Sequence, residues 1–392
     1  MKYDFDKVIN RRNTNSLKWD VEENELPMWV ADMDFPAAAP IMEAIHEKLQ
    51  VGALGYSIIP EAWNEAYVTW WRERHNFRIQ SEWLVFTTGV LPAISSAVRK
   101  LTSPAEKVLI QTPVYNNFFN SIVNNGRFVV ESPLKYDGKN YSMDFERLEE
   151  DLSDPQVSLM ILCNPQNPSG HLWSSYELFK VGELCAKYNV TVIADEIHCD
   201  LTDPGKEYIP FASVSDTCRD ISVTCMAPTK TFNIAGVNSA AVMVPNDYLR
   251  HKMWRRLNTD EVAEPNIIAV EATIAAFNHG AEWLDQLREY IYENKKVCQE
   301  YMEKNIPDVY MVPSDATYLL WLDCSSFCED SVDLMDFIRK ESGLYLSEGA
   351  EFGAAGRQFL RMNIACPRSV LMDGLERLKN SIKSYIKSKF GE

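Results

Sequence analysis

One lysine, Lys230, lies where a charged side chain needs an explanation. It follows a run of β-branched and small residues, 221–225, that is typical of a buried strand, and a second strand is predicted at 239–244. Burial disfavours the ammonium form of a lysine, so its pKa falls and the nucleophilic neutral amine becomes accessible. Such an amine can form a Schiff base with a carbonyl compound or a pyridoxal cofactor. A solvated lysine that caps a loop is the alternative that this stretch leaves open.

Asp195 is predicted to end another buried strand, 190–195, so its charge requires a cation nearby. A protonated pyridine nitrogen would serve, and so would a buried arginine. The run from Asp195 to His198 also matches a helicase-type box in its letters, but the chain has no Gly-x-x-x-x-Gly-Lys phosphate loop. A metal site formed by Asp195, His198 and Cys199 is a weaker alternative, because no second ligand cluster accompanies it.

Two turns offer groups that could hold an anion or a polar ring substituent. At 87–92 a strand ends in Gly89 and a helix begins, so the amides at the helix N-terminus could cradle a phosphate, and glycine allows a close backbone approach. At 164–170 two prolines and a terminal glycine predict a rigid turn that positions the Asn167 amide. A turn without a ligand is the alternative for both motifs.

Arg361 lies in a predicted strand of the C-terminal region, 358–364. Strand alternation places Arg361 and Asn363 on the face opposite to the apolar residues between them. A planar guanidinium can hold a carboxylate through two hydrogen bonds, which makes Arg361 a candidate for binding an acidic group of a substrate. The alternative is a solvent-facing arginine.

These candidates lie at the ends of elements in an alternating pattern of strands and helices. Such a pattern predicts βαβ units and a mainly parallel sheet with helices on both faces, an arrangement that binds ligands beyond the carboxyl ends of its strands. The predicted strands are 84–88, 107–111, 128–131, 158–163, 190–195, 221–225 and 239–244.

The length of 392 residues predicts more than one domain. We expect an N-terminal arm and helix at 1–50 that packs with the small domain, a large α/β domain at 51–285 and a smaller α+β domain at 286–392. The arm is polar and aromatic, and its apolar residues indicate that it lies on the surface of its own chain or of a partner.

The net charge and the cysteine content limit the kinds of partner and the cell compartment that we expect for this protein. The formal net charge of −17 argues against binding to nucleic acid or to anionic membranes. No apolar run approaches the roughly 20 residues that span a bilayer, and the polar, acidic start is unlike a signal peptide. Nine scattered cysteines predict reduced thiols and a cytoplasmic protein. A metal pair at Cys324 and Cys328 is less favoured than two buried thiols.

Taken together, the motifs resemble those of the fold-type I pyridoxal-phosphate (PLP) enzymes, the aspartate aminotransferase superfamily. The arm motifs, the run from Asp195 to Leu201, and the stretches after Lys230 and Arg361 narrow the resemblance to the MalY/PatB branch of cystathionine β-lyase-like C–S lyases. The likeness runs nearly end to end. The motifs that carry it are Phe5-Asp6, Arg11-Arg12, Trp19-Asp20, 29–35, 113–115, Asn167-Pro-Ser-Gly170, 195–201, 229–236 and 361–368.

The resemblance implies PLP as the cofactor and a role for each matching residue. It implies that Lys230 attaches the cofactor and acts as the catalytic base, that Asp195 pairs with the pyridine nitrogen, and that Asn167 and His198 hydrogen-bond its 3-oxygen. It also implies that Tyr115 stacks on the ring and that Arg361, Asn167 and Ala31 bind the substrate carboxylate. The implied phosphate site consists of Gly89, Val90, Leu91, Thr229 and, from the other subunit of a homodimer, Tyr56.

The chain departs from many aminotransferases at two phosphate positions, where Ala227 and Asn238 replace a serine and an arginine. The implied activity is β-elimination from a small sulfur amino acid, which yields a thiol, pyruvate and ammonia. A PLP-dependent aminotransferase is the alternative, disfavoured for dicarboxylates because a second substrate arginine is not evident. A regulatory binding protein on the same fold is a third hypothesis.

Overall fold

The computed structural model describes residues 3–391, which contain fifteen strands and thirteen α-helices. The strands are β1 Leu26–Pro27, β2 Leu84–Thr87, β3 Lys107–Ile110, β4 Phe128–Glu131, β5 Lys135–Tyr136, β6 Tyr141–Ser142, β7 Val157–Cys163, β8 Thr191–Asp195, β9 Ser222–Met226, β10 Ala240–Met243, β11 Tyr310–Met311, β12 Leu319–Asp323, β13 Leu344–Tyr345, β14 Ser347–Glu348 and β15 Phe359–Asn363.

The helices alternate with these strands through most of the chain. They are α1 Ala39–Gln50, α2 Glu61–His75, α3 Val90–Leu101, α4 Asn117–Val123, α5 Phe145–Leu152, α6 Ser175–Lys187, α7 Asp216–Asp220, α8 Pro228–Thr231, α9 Asp247–Thr259, α10 Ala269–His279, α11 Ala281–Asn305, α12 Ser331–Ser342 and α13 Arg368–Phe390. No helix within residues 3–391 is long and apolar enough to cross a bilayer.

The largest sheet has seven strands in the order β2-β10-β9-β8-β7-β3-β4. Neighbours run parallel except at β10, which is antiparallel to both β2 and β9. All seven predicted strands form this sheet, each within one residue of its predicted ends. The α/β class with a mainly parallel seven-stranded sheet is therefore confirmed.

Both faces of this sheet are buried, as a parallel sheet requires. Along β7 the side chain of Ile161 packs in the core beneath α3 and α9, whereas its neighbours Met160 and Leu162 pack in the core beside α6. The register aligns Cys163 with Asp195, and Asp195 with Cys225. Three strands thus end at one edge of the sheet, and the candidate residues follow there.

The C-terminal region forms a second sheet of four antiparallel strands in the order β11-β12-β15-β14, with α12 and α13 beside it. The N-terminal part contacts both regions. Strand β1 pairs with β13, whereas α1 packs against α10 of the large region rather than against the small one. The domain boundaries at 50 and 285 therefore stay a prediction, and α1 departs from the expected packing.

Several short elements did not emerge from the sequence pattern, including the hairpin β5–β6 and the helix that carries Lys230. Helix α8 has only four residues and begins with Pro228, a favoured first helical residue. Such an element is too short to show a hydrophobic period. The lysine predicted between two strands therefore lies on a helical turn.

An ionic cluster fixes the N-terminal arm. The Lys18 ammonium is 1% exposed and lies 2.7 Å from the Asp34 carboxylate, which also accepts hydrogen bonds from Arg11 and from the Trp19 indole. Arg11 reaches Asp32 as well, at 2.6 Å. Because two cations and two carboxylates are held together, the segment that follows Met28 has a defined position.

Replacing Lys18 with alanine should destabilise the fold, because it leaves the buried Asp34 carboxylate with one cation fewer. Breaking one partner of a buried ion pair costs about 3 kcal/mol. Urea unfolding of the variant should show that loss, and Lys7→Ala, a change at an exposed arm lysine, should leave the midpoint unchanged. Equal midpoints for the two variants would contradict the role given to the cluster.

Candidate active site

A cavity of about 240 Å³ opens at the carboxyl edge of the large sheet. It brings together most of the residues that the sequence singled out, drawn from the arm, the start of α3, the turn after β7, the end of β8 and helix α8. Its lining residues are Ala31, Thr88, Gly89, Val90, Leu91, Pro92, Tyr115, Cys163, Asn167, Asp195, Ile197, His198, Lys230 and Asn238.

The Lys230 amine faces this cavity and donates a hydrogen bond to the Ala31 carbonyl oxygen at 2.6 Å. Burial lowers the pKa of Lys230 to about 8, and the Arg361 charge also lowers it, while Asp32 and Asp195 act in the opposite direction. About a tenth of the Lys230 amines are therefore uncharged at pH 7, far more than for an ordinary lysine, in the direction that the buried strand before it predicted.

Asp195 ends β8 and is 5% exposed. Burial raises the pKa of Asp195 to about 7, and only an amide from Ile197 and the charge of Lys230 oppose that rise. Among the described residues no arginine pairs with it, so the alternative of a buried arginine partner does not hold. The carboxylate is available to a cation that enters the cavity.

His198 lies beside Asp195 and presents an unsatisfied atom. Within residues 3–391, its Nδ1 is buried and has no hydrogen-bond partner. Burial lowers the pKa of His198 to about 3, and the charges of Lys230 and Arg361 lower it further, so the ring is neutral at physiological pH. A buried polar atom without a partner is costly, which indicates that a ligand supplies the missing bond.

The turn that carries Asn167 ends in a glycine that its surroundings require. At its end Gly170 has φ of +69°, and a Cβ there would lie 2.1 Å from Ser314 Oγ, so only glycine fits. The Asn167 side-chain oxygen accepts a hydrogen bond from Arg361 Nη1 at 3.2 Å. The turn after β7 therefore meets the C-terminal sheet in the cavity wall.

Arg361 is buried in β15 beside the cavity, though it does not line it. Its Nη2 atom donates to the Trp29 carbonyl at 3.0 Å and to Ser347 Oγ at 3.3 Å. Its Nε atom is buried and has no partner within residues 3–391. Burial lowers the pKa of Arg361, which indicates that the guanidinium lacks full charge compensation. A carboxylate would supply both the charge and the missing acceptor.

The proposed phosphate end lies at the N-terminus of α3, whose first-turn amides have no acceptor within the helix. Gly89 precedes it in an extended conformation with φ of 176°, so its role is not a left-handed turn. Val90 and Leu91 line the cavity, as does Asn238, the residue that departs from the aminotransferase pattern. Thr229 is buried one residue before Lys230 but does not line the cavity.

Tyr115 lines the cavity, and its hydroxyl accepts a hydrogen bond from Asn117 at 2.7 Å. Tyr56 does not join the site within this chain. It is fully exposed and lines a shallow surface groove with Pro60 and Glu271. A role for Tyr56 across an interface remains a prediction.

Three residues whose role the sequence did not predict fix the arm above the cavity. Tyr318 donates from its hydroxyl to the Ala31 carbonyl at 2.9 Å, so that oxygen serves both Tyr318 and Lys230. Asn363 donates to the Val30 and Asp32 carbonyls, and Asn233 donates to those of Met33 and Phe35. Both asparagines lie in motifs on which the resemblance rests, and their residue type was the sequence feature that could have indicated these contacts.

The structure does not group the residues of the predicted metal site. Within residues 3–391, the possible ligand atoms that come within 4.8 Å of one another belong to His75, Cys199 and Asp200, not to Asp195 and His198. The Asp200 carboxylate already accepts hydrogen bonds from His75, Trp70 and Thr231, and although burial acts to raise it, these bonds lower its pKa. Asp200 thus holds α8 in place through Thr231, the neighbour of Lys230.

The groups in the cavity fit PLP as the resemblance implied. The orphaned His198 Nδ1 and the Asn167 amide can meet a polar ring substituent, and the unpaired Asp195 can meet a protonated ring nitrogen. An amine of lowered pKa can attach the cofactor, while the amides of α3 suit a phosphate. One part of PLP would thus provide a bonding partner for each of these groups.

Comparisons with known proteins agree with this geometry. Residues 23–378 match the family model described as aminotransferase class I and II. The chain is 41% identical to cystathionine beta-lyase PatB of Bacillus subtilis, over 96% of this chain and 99% of that protein. It is 32% identical to protein MalY of Escherichia coli, over 97% and 99%. Cystalysin of Treponema denticola, whose crystal structure contains PLP, superposes with a TM-score of 0.95 at 32% identity, over 98% of this chain and 100% of that chain.

Lys230 should react with amine reagents at unusually low pH in the cofactor-free protein. Because its pKa is about 8, the neutral fraction rises through pH 8, whereas ordinary lysines lose their proton near pH 10.4. Mass spectrometry of the acetylated Lys230 peptide over pH 6–11 measures the midpoint, and the exposed Lys7 is the internal reference. Asp32→Asn should lower the Lys230 midpoint further. A midpoint that coincides with that of Lys7 would contradict the desolvated site.

Proposed function

The chain belongs to the class I and II aminotransferase family, in its MalY/PatB branch, and we propose that it catalyses a PLP-dependent β-elimination. The substrate is cystathionine or another S-substituted cysteine, and the products are a thiol, pyruvate and ammonia. The observation that carries this proposal is the partly neutral Lys230 amine in a cavity where, among the described residues, Asp195 has no cationic partner and His198 Nδ1 has no hydrogen-bond partner, beside a buried Arg361 whose Nε is also unpaired. The similarity of the chain to cystathionine beta-lyase PatB over 96% of its length supports the choice of reaction.

PLP, when bound, supplies an electron sink for negative charge that develops at the α-carbon of an amino acid. The residues of the chain perform the remaining tasks. Lys230 Nζ accepts the α-proton as general base, since it lies in the cavity and is partly neutral. Asp195 keeps the ring nitrogen protonated, and Arg361 with Asn167 orients the substrate carboxylate. The electron pair from the broken Cα–H bond then expels the thiolate from Cβ.

The same proposal assigns the other cavity residues. His198 and Asn167 hydrogen-bond the ring 3-oxygen, and Tyr115 stacks on the ring face. The Val90 and Leu91 amides hold the phosphate, with help from the Thr229 hydroxyl. Asn238 supplies an amide where many aminotransferases place a cation, so the phosphate is held more by hydrogen bonds than by charge.

Transamination shares the first proton transfer, but a proton is then returned instead of a thiolate being expelled, so the Cβ–S bond stays intact. The similarity to cystathionine β-lyase PatB favours elimination over that alternative. A regulatory protein without catalysis is disfavoured because Lys230 and Asp195 line one cavity and Arg361 lies beside it, bonded to the cavity-lining Asn167.

Incubation with cystathionine should release pyruvate and free thiol in many-fold excess over enzyme. Lys230→Ala should lower kcat by about 10³-fold, since a positioned general base contributes that order of rate. Lys7→Ala, at an exposed arm residue, is the matched control. Keto acid formed only in amounts equal to the enzyme would indicate transamination, and no product at all would favour the regulatory hypothesis.

We also propose that the protein is a cytoplasmic homodimer. All nine cysteines are buried free thiols, which fits a reducing compartment. The segment around Tyr56 exposes large apolar side chains that isolated domains usually cover, namely Val51, Leu54 and Ile58. A second subunit would bury them and bring Tyr56 to its partner's phosphate site.

Tyr56→Phe should weaken binding of PLP to the cofactor-free dimer by about tenfold, the worth of one hydrogen bond to a charged group. A fluorescence titration measures the dissociation constant, and sedimentation equilibrium measures the subunit number. Tyr176→Phe removes a hydroxyl from another exposed tyrosine and should have no effect. A monomeric mass, or unchanged affinity in Tyr56→Phe, would contradict this assignment.

A further inference from the structure

A carboxylate, Glu351, lies next to the arginine assigned to the substrate. It belongs to the 3₁₀ turn Gly349–Phe352, directly after β14. Its Oε2 atom accepts a hydrogen bond from Asn116 Nδ2 at 2.9 Å. The side chain is partly exposed, so a ligand can reach it.

Glu351 lies four residues after Ser347, which contacts Arg361. The Ser347 hydroxyl accepts a hydrogen bond from Arg361 Nη2 at 3.3 Å and donates one to the Trp29 carbonyl at 3.3 Å. The guanidinium carbon of Arg361 lies 4.8 Å from the ring centroid of Phe352, the residue after Glu351. The turn that carries the carboxylate therefore packs directly against the arginine.

The same turn contacts the wall of the cavity from the other side. The Val114 amide donates to the Phe352 carbonyl at 2.9 Å, and Asn116 follows Tyr115, which lines the cavity. The charges of Glu351 and Arg361 both act on the Tyr115 hydroxyl. Glu351 thus lies between a cavity-lining aromatic residue and the substrate arginine.

This carboxylate has no cation of its own. Across residues 3–391, no lysine, arginine or histidine is within ion-pair distance of Glu351, although Arg361 acts on it from farther away. Burial raises the pKa of Glu351, and the Arg361 charge, the Ser347 hydroxyl and the Asn116 amide offset that rise only in part. A cationic ligand group would supply the direct pairing that the chain does not.

We propose that Glu351 is a specificity-determining residue that binds an ammonium group on the thiol portion of the substrate. Preferred substrates are then S-substituted cysteines with a cationic leaving portion, a class that includes cystathionine and cystine. This inference rests on the proposed function. A different role, in which Glu351 only balances the charge of Arg361, predicts equal effects on every substrate.

Two thioethers of similar size separate these roles. S-(2-aminoethyl)-L-cysteine carries a distal ammonium, and S-(2-hydroxyethyl)-L-cysteine carries a hydroxyl at the same place. Glu351→Gln should lower kcat/KM for the aminoethyl compound by about tenfold, mostly through KM, because a charge-assisted bond is lost. The hydroxyethyl compound should change less, by about twofold, since its hydroxyl carries no charge that could form an ion pair with Glu351.

The control is Glu348→Gln, the same change three residues earlier on the same segment. Burial and the charges of Asp336 and Asp330 raise the pKa of Glu348, and Arg361 does not act on it. The kcat/KM of this variant should therefore match that of the wild type for both thioethers. Glu351→Asp retains the charge and should keep part of the preference. Thermal melting and the cofactor absorbance band verify that each variant is folded and loaded.

Binding without turnover keeps this test independent of the proposed reaction. L-Lysine has the shape of the aminoethyl compound but no leaving group, and L-norleucine lacks the ammonium. Calorimetry should show that Glu351→Gln weakens L-lysine binding by about tenfold and leaves L-norleucine binding unchanged.

The outcomes separate the two proposals. If the wild type cleaves neither thioether while Glu351→Gln still weakens only L-lysine, β-elimination fails and the ammonium site stands. If both thioethers are cleaved and Glu351→Gln lowers them equally, the ammonium site is overturned and β-elimination stands. Equal binding of L-lysine to the wild type and Glu351→Gln would also overturn it.

Discussion

The hydrogen bond from Lys230 to the Ala31 carbonyl is the contact on which the site depends. It replaces water around an amine that burial has already made easier to deprotonate. The acceptor is not free to drift, because Tyr318 bonds the same oxygen and Asn363 bonds the carbonyls on either side. One bent stretch of backbone therefore sets the position of the Lys230 nitrogen and links the two sheets.

The ionic cluster at the start of the chain acts through that stretch. Lys18 and Arg11 hold Asp34 and Asp32, which follow Ala31 closely. Asp32 also raises the pKa of Lys230, so the arm contributes electrostatically as well as sterically. A polar, irregular N-terminal segment is thus part of the active site, although it belongs to neither sheet.

The sheet, its strand bounds and the grouping of Lys230, Asp195 and Asn167 were predictable from the sequence. Buried parallel strands are continuous apolar runs that end abruptly, and the residues at those ends must meet at one edge. Tyr318 and the packing of α1 were not predictable, because they depend on long-range contacts that leave no periodic signal. Helix α8 was not predicted because its four residues are too few to show a hydrophobic repeat.

The two sheets divide the chemistry between them. Lys230, Asp195 and His198 come from the large sheet and face one cavity, where their shifted pKa values suit a fixed cofactor. Arg361 and Glu351 come from the C-terminal region and lie beside the cavity, where Arg361 contacts Asn167 and Glu351 contacts Asn116, the neighbour of Tyr115. The Arg361 charge lowers the pKa of Lys230 and of His198, whereas Glu351 acts on neither group, so a change at the proposed Glu351 site can alter the preferred leaving group while the proton transfer stays the same. Substrate choice is therefore the property that this architecture leaves most open to variation.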